Sequence, residues 1–298
     1  MTAAVTLPDG RELAYEEYGD PAGFPVLSFH GGLSSRLDAA PAHDAAIAKG
    51  VRLVSPDRPG IGRSTFSPGR RLLDWPTDVR HLADRLGLDR FAVMGWSAGG
   101  AYAAVCAAKL GERVSAAALL SSAVPLDRYG TTRGLTAEDR VLMLLARHAP
   151  GLCSAVMRVS IVNASNARLL RAVMRAIPPA DRTVLREWGP PDLALAFVRE
   201  SLRQGTDGNV LDYRIFGDPW GFALEEIRVP VQIWEGADDR TGPPGYRDFL
   251  RRHIAGATVT IVPSEGHLSL LPHQAPAIFS ALLDGDHNAE STARWNVG

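Results

Sequence analysis

Cysteine and lysine are nearly absent from this chain: of its 298 residues, two are cysteines (Cys106, Cys153) and two are lysines (Lys49, Lys109). Neither cysteine has a C-x-x-C partner or a histidine at metal-ligand spacing, which argues against a disulfide framework and a thiolate metal site, so both are read as packing residues. Arginine takes nearly every other basic position, a bias of codon usage more than of function. Net charge is missing too. A formal value of −1 leaves no electrostatic footprint for nucleic acid. No stretch approaches the roughly 18 consecutive apolar residues that a membrane span requires. The first ten residues have no basic segment leading into an apolar one, so they do not read as a signal peptide, and a cytoplasmic location is expected. There is no internal repeat and no low-complexity linker. What remains is an ordinary globular composition, 46% apolar, long enough for one large core with an insertion.

The chain opens with period-two patterning on either side of Pro8-Asp9-Gly10, which reads as a hairpin ending near Tyr18, followed by a short buried strand over Phe24–Phe29. Helix and strand patterns then alternate: helix 37–49, strand 51–55, helix 74–87, strand 90–96, helix 98–111, strand 115–121. Continuous apolar runs such as Val114–Ser122 are what buried parallel strands look like. An antiparallel start that turns into βαβ units predicts an open, mostly parallel sheet covered by helices. The alternation stops at Pro125 and resumes near Arg228. Between them, helical periodicity over 137–147, 155–177 and 193–203 is broken by Pro-Gly and Pro-Pro pairs. Arg214–Phe222 reads as a turn-rich return. The pattern closes with strand 229–235, helix 244–254, strand 257–262 and helix 273–283. The expected organisation is a catalytic fold over 1–125 and 228–284, a helical cap over 126–227, and a frayed tail over 285–298.

Gly95-Trp96-Ser97-Ala98-Gly99 is a G-x-S-x-G sequence between the strand and the helix that flank it. A turn that tight leaves no space for Cβ atoms beside it and projects the serine hydroxyl above the sheet. Serine is a weak nucleophile without a base, and the base needs an acid to fix its tautomer. The strand over 231–235 runs into Gly236-Ala-Asp-Asp, which brings Asp238 and Asp239 to a strand end. The next strand delivers His267 in the same way. Spacing leaves the choice between the two aspartates open.

On these residues the chain resembles the α/β-hydrolase superfamily, in its serine-nucleophile branch with a helical cap. The resemblance rests also on His30-Gly31-Gly32 after the third strand, on the D-x-x-G-x-G-x-S loop Asp57–Ser64, and on the Gly266-His267 pair. It implies an eight-stranded, mostly parallel sheet with helices on both faces. It also implies Asp239 as the acid, and an oxyanion hole made by the N–H groups of Ala98 and Gly32, with Leu33 the alternative one residue on. No metal or organic cofactor is required. The expected activity is cleavage of a small carboxylic ester or related acyl compound through an acyl-enzyme on Ser97. The alternatives are lyase, perhydrolase or acyltransferase chemistry, or a receptor that uses the same pocket with little turnover. Serine at the elbow argues against haloalkane dehalogenases and most epoxide hydrolases, which need a carboxylate there. The His-Gly-Gly start resembles proline iminopeptidases, but Glu138, Glu187 and Glu200 do not cluster as an amine site should.

His30, Leu33, Trp96, Met143, Met157 and Phe197 are the residues expected around the pocket, with His30 mainly structural. From Arg147 to Arg186 there are seven arginines against one acid, Asp181. That stretch reads as a solvated cap face, with a basic surface that steers an anionic substrate or docks an acidic partner as the alternative. An ordinary His267 base implies loss of activity below about pH 6.

Overall fold

Two short strands, Ala3–Thr6 (β1) and Glu12–Gly19 (β2), pair antiparallel and form the hairpin expected around Gly10. The other strands are Phe24–Phe29 (β3), Val51–Pro56 (β4), Phe91–Trp96 (β5), Val114–Leu120 (β6), Val231–Gly236 (β7) and Thr258–Val262 (β8). In this computed structural model, which describes residues 2–164, 177–187, 196–243 and 245–295, they make one eight-stranded sheet in the order β1-β2-β4-β3-β5-β6-β7-β8. Pairing is parallel from β4 through β8, and β2 is the antiparallel member. All seven residues of β6 are buried, as a strand covered on both faces must be, whereas β8 at the edge is largely exposed.

Helices cover both faces. Trp75–Arg85 (α2), Gly99–Lys109 (α3) and Gly245–His253 (α10) bury Val79, Leu82, Tyr102, Phe249 and Leu250 against one side. His43–Ala48 (α1) and Leu270–Trp295 (α11) bury Ala46, Ile278, Phe279 and Leu282 against the other. The helix expected over 37–49 is divided: a 3₁₀ segment, Arg36–Ala42, contains Pro41 and precedes α1. The last helix starts before the expected 273 and runs on past 283. Pro272 looks like a boundary in sequence, but it lies in the first helical turn, where its missing N–H has no partner to lose.

Between β6 and β7 the described residues are helical: Leu126–Tyr129 (α4), Ala137–His148 (α5), Pro150–Ala164 (α6), Pro179–Glu187 (α7), Ala196–Ser201 (α8) and Asp207–Gly217 (α9). Several of these differ from expectation: α4 is not among the expected helices, and α6 begins at Pro150, inside the Pro-Gly pair read as a break. Pro178-Pro179, read as a break, starts α7, because proline suits the first position of a helix. The supposed return at 214–222 is helical as far as Gly217. Of the arginine-rich stretch, Arg168, Arg171 and Arg175, which fall at i, i+3 and i+7, lie outside the described residues.

This insertion is tied to the sheet by buried charge. Asp212 on α9 accepts from Arg58 Nε at 2.8 Å and from Tyr102 Oη at 2.9 Å, and it also pairs with Arg70. Burial opposes its ionisation, but the two guanidinium groups outweigh burial and hold its carboxyl below the usual range. Arg58, stacked 4.5 Å from the Tyr102 ring centroid, also donates to the carbonyls of His30 and Gly31. Glu200 on α8 receives Arg36 at 2.8 Å, and the same guanidinium reaches Asp57 at 2.6 Å. Asp57 is the first residue of the D-x-x-G-x-G-x-S loop, and Gln204 donates to the carbonyls of Gly62 and Ser64 in that loop. Removing one charge from such a cluster leaves the others uncompensated. Asp212→Asn is expected to lose about 3–5 kcal/mol of stability, read as a lowered urea midpoint with an unchanged m-value.

Candidate active site

β5 ends at Trp96, and the chain reverses into α3 through Ser97, whose φ of 54° is left-handed. The two glycines of the pentapeptide permit this. A Cβ on Gly99 would run into the carbonyl of Phe29 in β3, and one on Gly95 would run into the carbonyl of Gly99. The turn is pinned from β6, with Ser97 N–H donating to Leu120 O at 2.8 Å and Ser97 O accepting from Ala123 N–H at 3.0 Å. Ser97 thus stands at the C-terminal edge of the sheet. It lines a cavity of about 300 Å³, as do Gly32, Ala98 and His267.

The loops after β7 and β8 bring the remaining groups. His267 Nδ1 and Asp239 Oδ2 are 2.7 Å apart, and Thr241 N–H holds the other Asp239 oxygen at 2.7 Å. Asp238 is exposed, so of the two neighbouring aspartates only Asp239 meets the histidine. Burial pushes the Asp239 carboxyl up, but the His267 charge, its hydrogen bond and the Thr241 N–H together hold it at about 2. Burial pushes the His267 imidazole down, and Asp239 more than offsets that, so its pKa lies above the ordinary 6.5. That moves the expected loss of a neutral imidazole from about pH 6 to a higher pH. Glu235, at the end of β7, is pushed up to about 7 by burial.

Trp96 does more than wall the cavity. Its Nε1–H donates to the carbonyl of His267 at 2.9 Å, and its ring lies 5.2 Å from the imidazole. Gly32 and Ala98 face each other: a Cβ on Gly32 would sit 3.8 Å from that of Ala98 and 3.9 Å from the Tyr213 hydroxyl. Leu33, with φ 48°, lines the cavity beside Gly32. The buried carboxylate of Asp38 braces this loop by accepting from Gly31 N–H at 3.0 Å and Ser34 Oγ at 2.9 Å. Burial lifts its pKa to about 7.

Four of the six residues expected around the pocket line it: Leu33, Trp96, Met143 and Phe197. Met157 does not. It packs with Leu142, Ala146, Cys153 and Val210 inside the insertion, because its helix turns that face toward α5 and α9. His30 is completely buried beneath the loop. Its Nε2 accepts from Arg58 N–H at 3.3 Å, which assigns the proton to Nδ1, 3.0 Å from Gly31 O. Burial, with Arg58 beside it, puts the His30 pKa well below the ordinary value, so the ring is neutral. Sequence reasoning missed Asp139 and Tyr213. Tyr213 Oη donates to Asp139 Oδ1 at 3.1 Å, and Thr136 Oγ1 holds the other oxygen at 2.6 Å. The Thr136-x-x-Asp139 spacing is a helix-cap signal that could have located Asp139, but nothing local announces that it faces the cavity.

A family model described as "Alpha/beta hydrolase family" matches residues 22–282. The chain belongs to that family. Among its relatives, an uncharacterised hydrolase, YcgS, of Bacillus subtilis is 26% identical over 283 residues, covering 92% of this chain and 95% of that protein. A pimeloyl-[acyl-carrier protein] methyl ester esterase of Nitrosomonas europaea is 27% identical over 249 residues, 80% of this chain and 87% of the relative. The solved structure of an esterase (EaEST) from Exiguobacterium antarcticum superposes with a TM-score of 0.71 at 19% identity, covering 95% and 98% of the two chains, and so shares the family's fold. No helix among the described residues is long and apolar enough to cross a membrane.

Two outcomes are expected. Gly99→Ala, which drives a methyl group into the Phe29 carbonyl, costs at least about 1–3 kcal/mol, read by thermal denaturation against wild type. In an NMR titration the His267 imidazole protonates with a midpoint above 6.5, and Asp239→Asn lowers that midpoint; a wild-type midpoint below 6.5 contradicts the coupling to Asp239.

Proposed function

We propose that this protein is a serine hydrolase of small carboxylic esters or related acyl compounds. The observation that carries the reading is the cavity itself, which Ser97 and His267 both line, with Asp239 Oδ2 2.7 Å from the imidazole Nδ1. Ser97 Oγ attacks the acyl carbonyl while His267 accepts its proton. Asp239 fixes the imidazole tautomer and stabilises the imidazolium. The negative charge that develops on the carbonyl oxygen is received by the N–H groups of Gly32 and Ala98, each such donor being worth on the order of 10²–10³ in rate. His267 then returns the proton to the leaving alcohol, and water repeats the sequence to release the acid. No step calls for a metal or organic cofactor.

In this reading the helices between β6 and β7 act as a cap. Leu135, Met143 and Phe197 from that segment supply apolar wall above Ser97. The polar groups there are already engaged with one another, as Asp139 is with Tyr213 and Thr136, so the site favours an uncharged acyl or alcohol chain. The names of the methyl ester esterase and of the structurally similar esterase point the same way.

The test is hydrolysis of p-nitrophenyl esters from acetate to palmitate, wild type beside Ser97→Ala. Turnover is expected to be serine-dependent and greatest for chains well short of palmitate, and Ser97→Ala is expected to keep its thermal midpoint, since a hydroxyl at a surface turn contributes little to stability. Activity should fall with decreasing pH through a midpoint above the ordinary histidine value of 6.5, because His267 works as a base only when neutral and its pKa is raised. Full turnover in Ser97→Ala would refute the assignment of the nucleophile, and fluorophosphonate labelling without turnover of any ester would refute the hydrolytic reading.

A further inference from the structure

The loop that carries His267 is held by a carboxylate from outside the sheet domain. Asp181, on α7 of the insertion, is buried, and its two oxygens accept three consecutive backbone N–H groups: His267 at 3.0 Å, Leu268 at 2.9 Å and Ser269 at 2.9 Å. These are the N–H groups that lead into α11, which have no partner inside that helix. Asp181 also lies in the first turn of its own helix, so two helix N-termini converge on one negative charge. An independent observation concerns Gly266: a Cβ there would overlap the Asp181 carboxylate. The glycine before His267 is therefore required by Asp181 and not by the turn, since Gly266 does not have a positive φ.

We propose that Asp181 is a positioning residue for His267, fixing its backbone from the insertion, so that the histidine is competent only when the insertion is docked. With this contact the histidine is held at three points: its N–H by Asp181, its carbonyl by Trp96 Nε1–H at 2.9 Å, and its ring by Asp239 at 2.7 Å. The proposal rests on the reading of His267 as the catalytic base.

Other charges act on the same imidazole. Asp239 bonds it directly, and Asp139 lies across the cavity on α5. Glu235 stands at the end of β7 with Arg247 of α10 3.5 Å beyond it. Glu265, on the histidine's own loop, is taken up by His273 of α11 at 3.0 Å. Asp181 adds a negative charge that favours the imidazolium, as Asp239 does.

The test compares Asp181→Asn and Asp181→Ala with wild type, using kcat/KM against pH on the best p-nitrophenyl ester and an NMR titration of the His267 imidazole. Asp181→Asn keeps the size and removes the charge together with one of the two acceptor oxygens. It is expected to lower both midpoints by about 0.5 in pH, the effect of one unit charge several ångströms away in a water-like medium. Asp181→Ala removes the anchor and is expected to lower kcat on the order of ten- to a hundredfold with KM little changed. Superimposable pH profiles and imidazole titrations in wild type and Asp181→Asn overturn the proposal, as does a KM change in Asp181→Ala without a kcat change. The NMR titration needs no turnover, so it decides the effect of Asp181 on the imidazole even if Ser97→Ala shows that the proposed chemistry is wrong. If Asp181→Ala fails to fold, the charge-neutral Asn variant still decides.

Discussion

At the crossing of β3 and the start of α3 there is no room for a single methyl group, and that closeness governs everything built above the sheet. Gly99 presses against the carbonyl of Phe29, and Gly95 presses against Gly99. Because the helix begins so near the neighbouring strand, the connecting residue has to turn through a left-handed conformation, and Ser97 is lifted clear of the sheet into the cavity. The same approach brings Ala98 face to face with Gly32 from the loop after β3. Ser97, Ala98 and Gly32 are thus placed by one packing contact beside strands that are themselves largely buried. The strain is distributed over a rigid scaffold, which is where such strain persists.

The second organising feature is charge. Asp212, Glu200 and Asp181 all belong to the helical insertion, and each ends on backbone or side chains that shape the site: the His30–Gly31 loop through Arg58, the Asp57 loop through Arg36, and the His267 loop directly. Buried ion pairs add little net stability over apolar packing of the same volume, yet they are intolerant of being mispaired. Among the described residues the insertion has its own core around Leu142, Met157, Val210 and Tyr213, and Ile215 and Phe216 of α9 join the core against the sheet. Three buried carboxylates add fixed points to that apolar packing.

The parallel sheet, the strand ends and the residues that converge on the cavity were legible in the sequence because each is forced by a local requirement that leaves a local mark: a glycine pair around Ser97, an apolar run for β6, a strand running into Asp239 or His267. The cysteines were read correctly as packing groups, both being free and buried. What escaped notice was carried by long-range pairing. Helices α7 and α9 were missed because Pro178-Pro179 and the glycines near 217–221 look like breaks when nothing tells a first-turn proline from a terminating one. With those helices went Asp181 and Asp212, which carry no motif and matter only through partners 86 and 154 positions away. Met157 shows the same limit from the other side. Helical spacing marked it as apolar and inward, but the inward direction was the insertion's own core and not the cavity.

Gly266 carries a consequence for how such a protein can be altered. Its lack of a side chain makes space for a group from a different part of the chain, so the two positions form a single lock split across two segments. If the helical insertion were replaced, the sheet would keep its glycine and lose the carboxylate that fills the gap, and the histidine loop would be left with three unanswered N–H groups. Replacing the insertion of this chain is thus constrained at the seam, where Asp181 underlies the loop of His267.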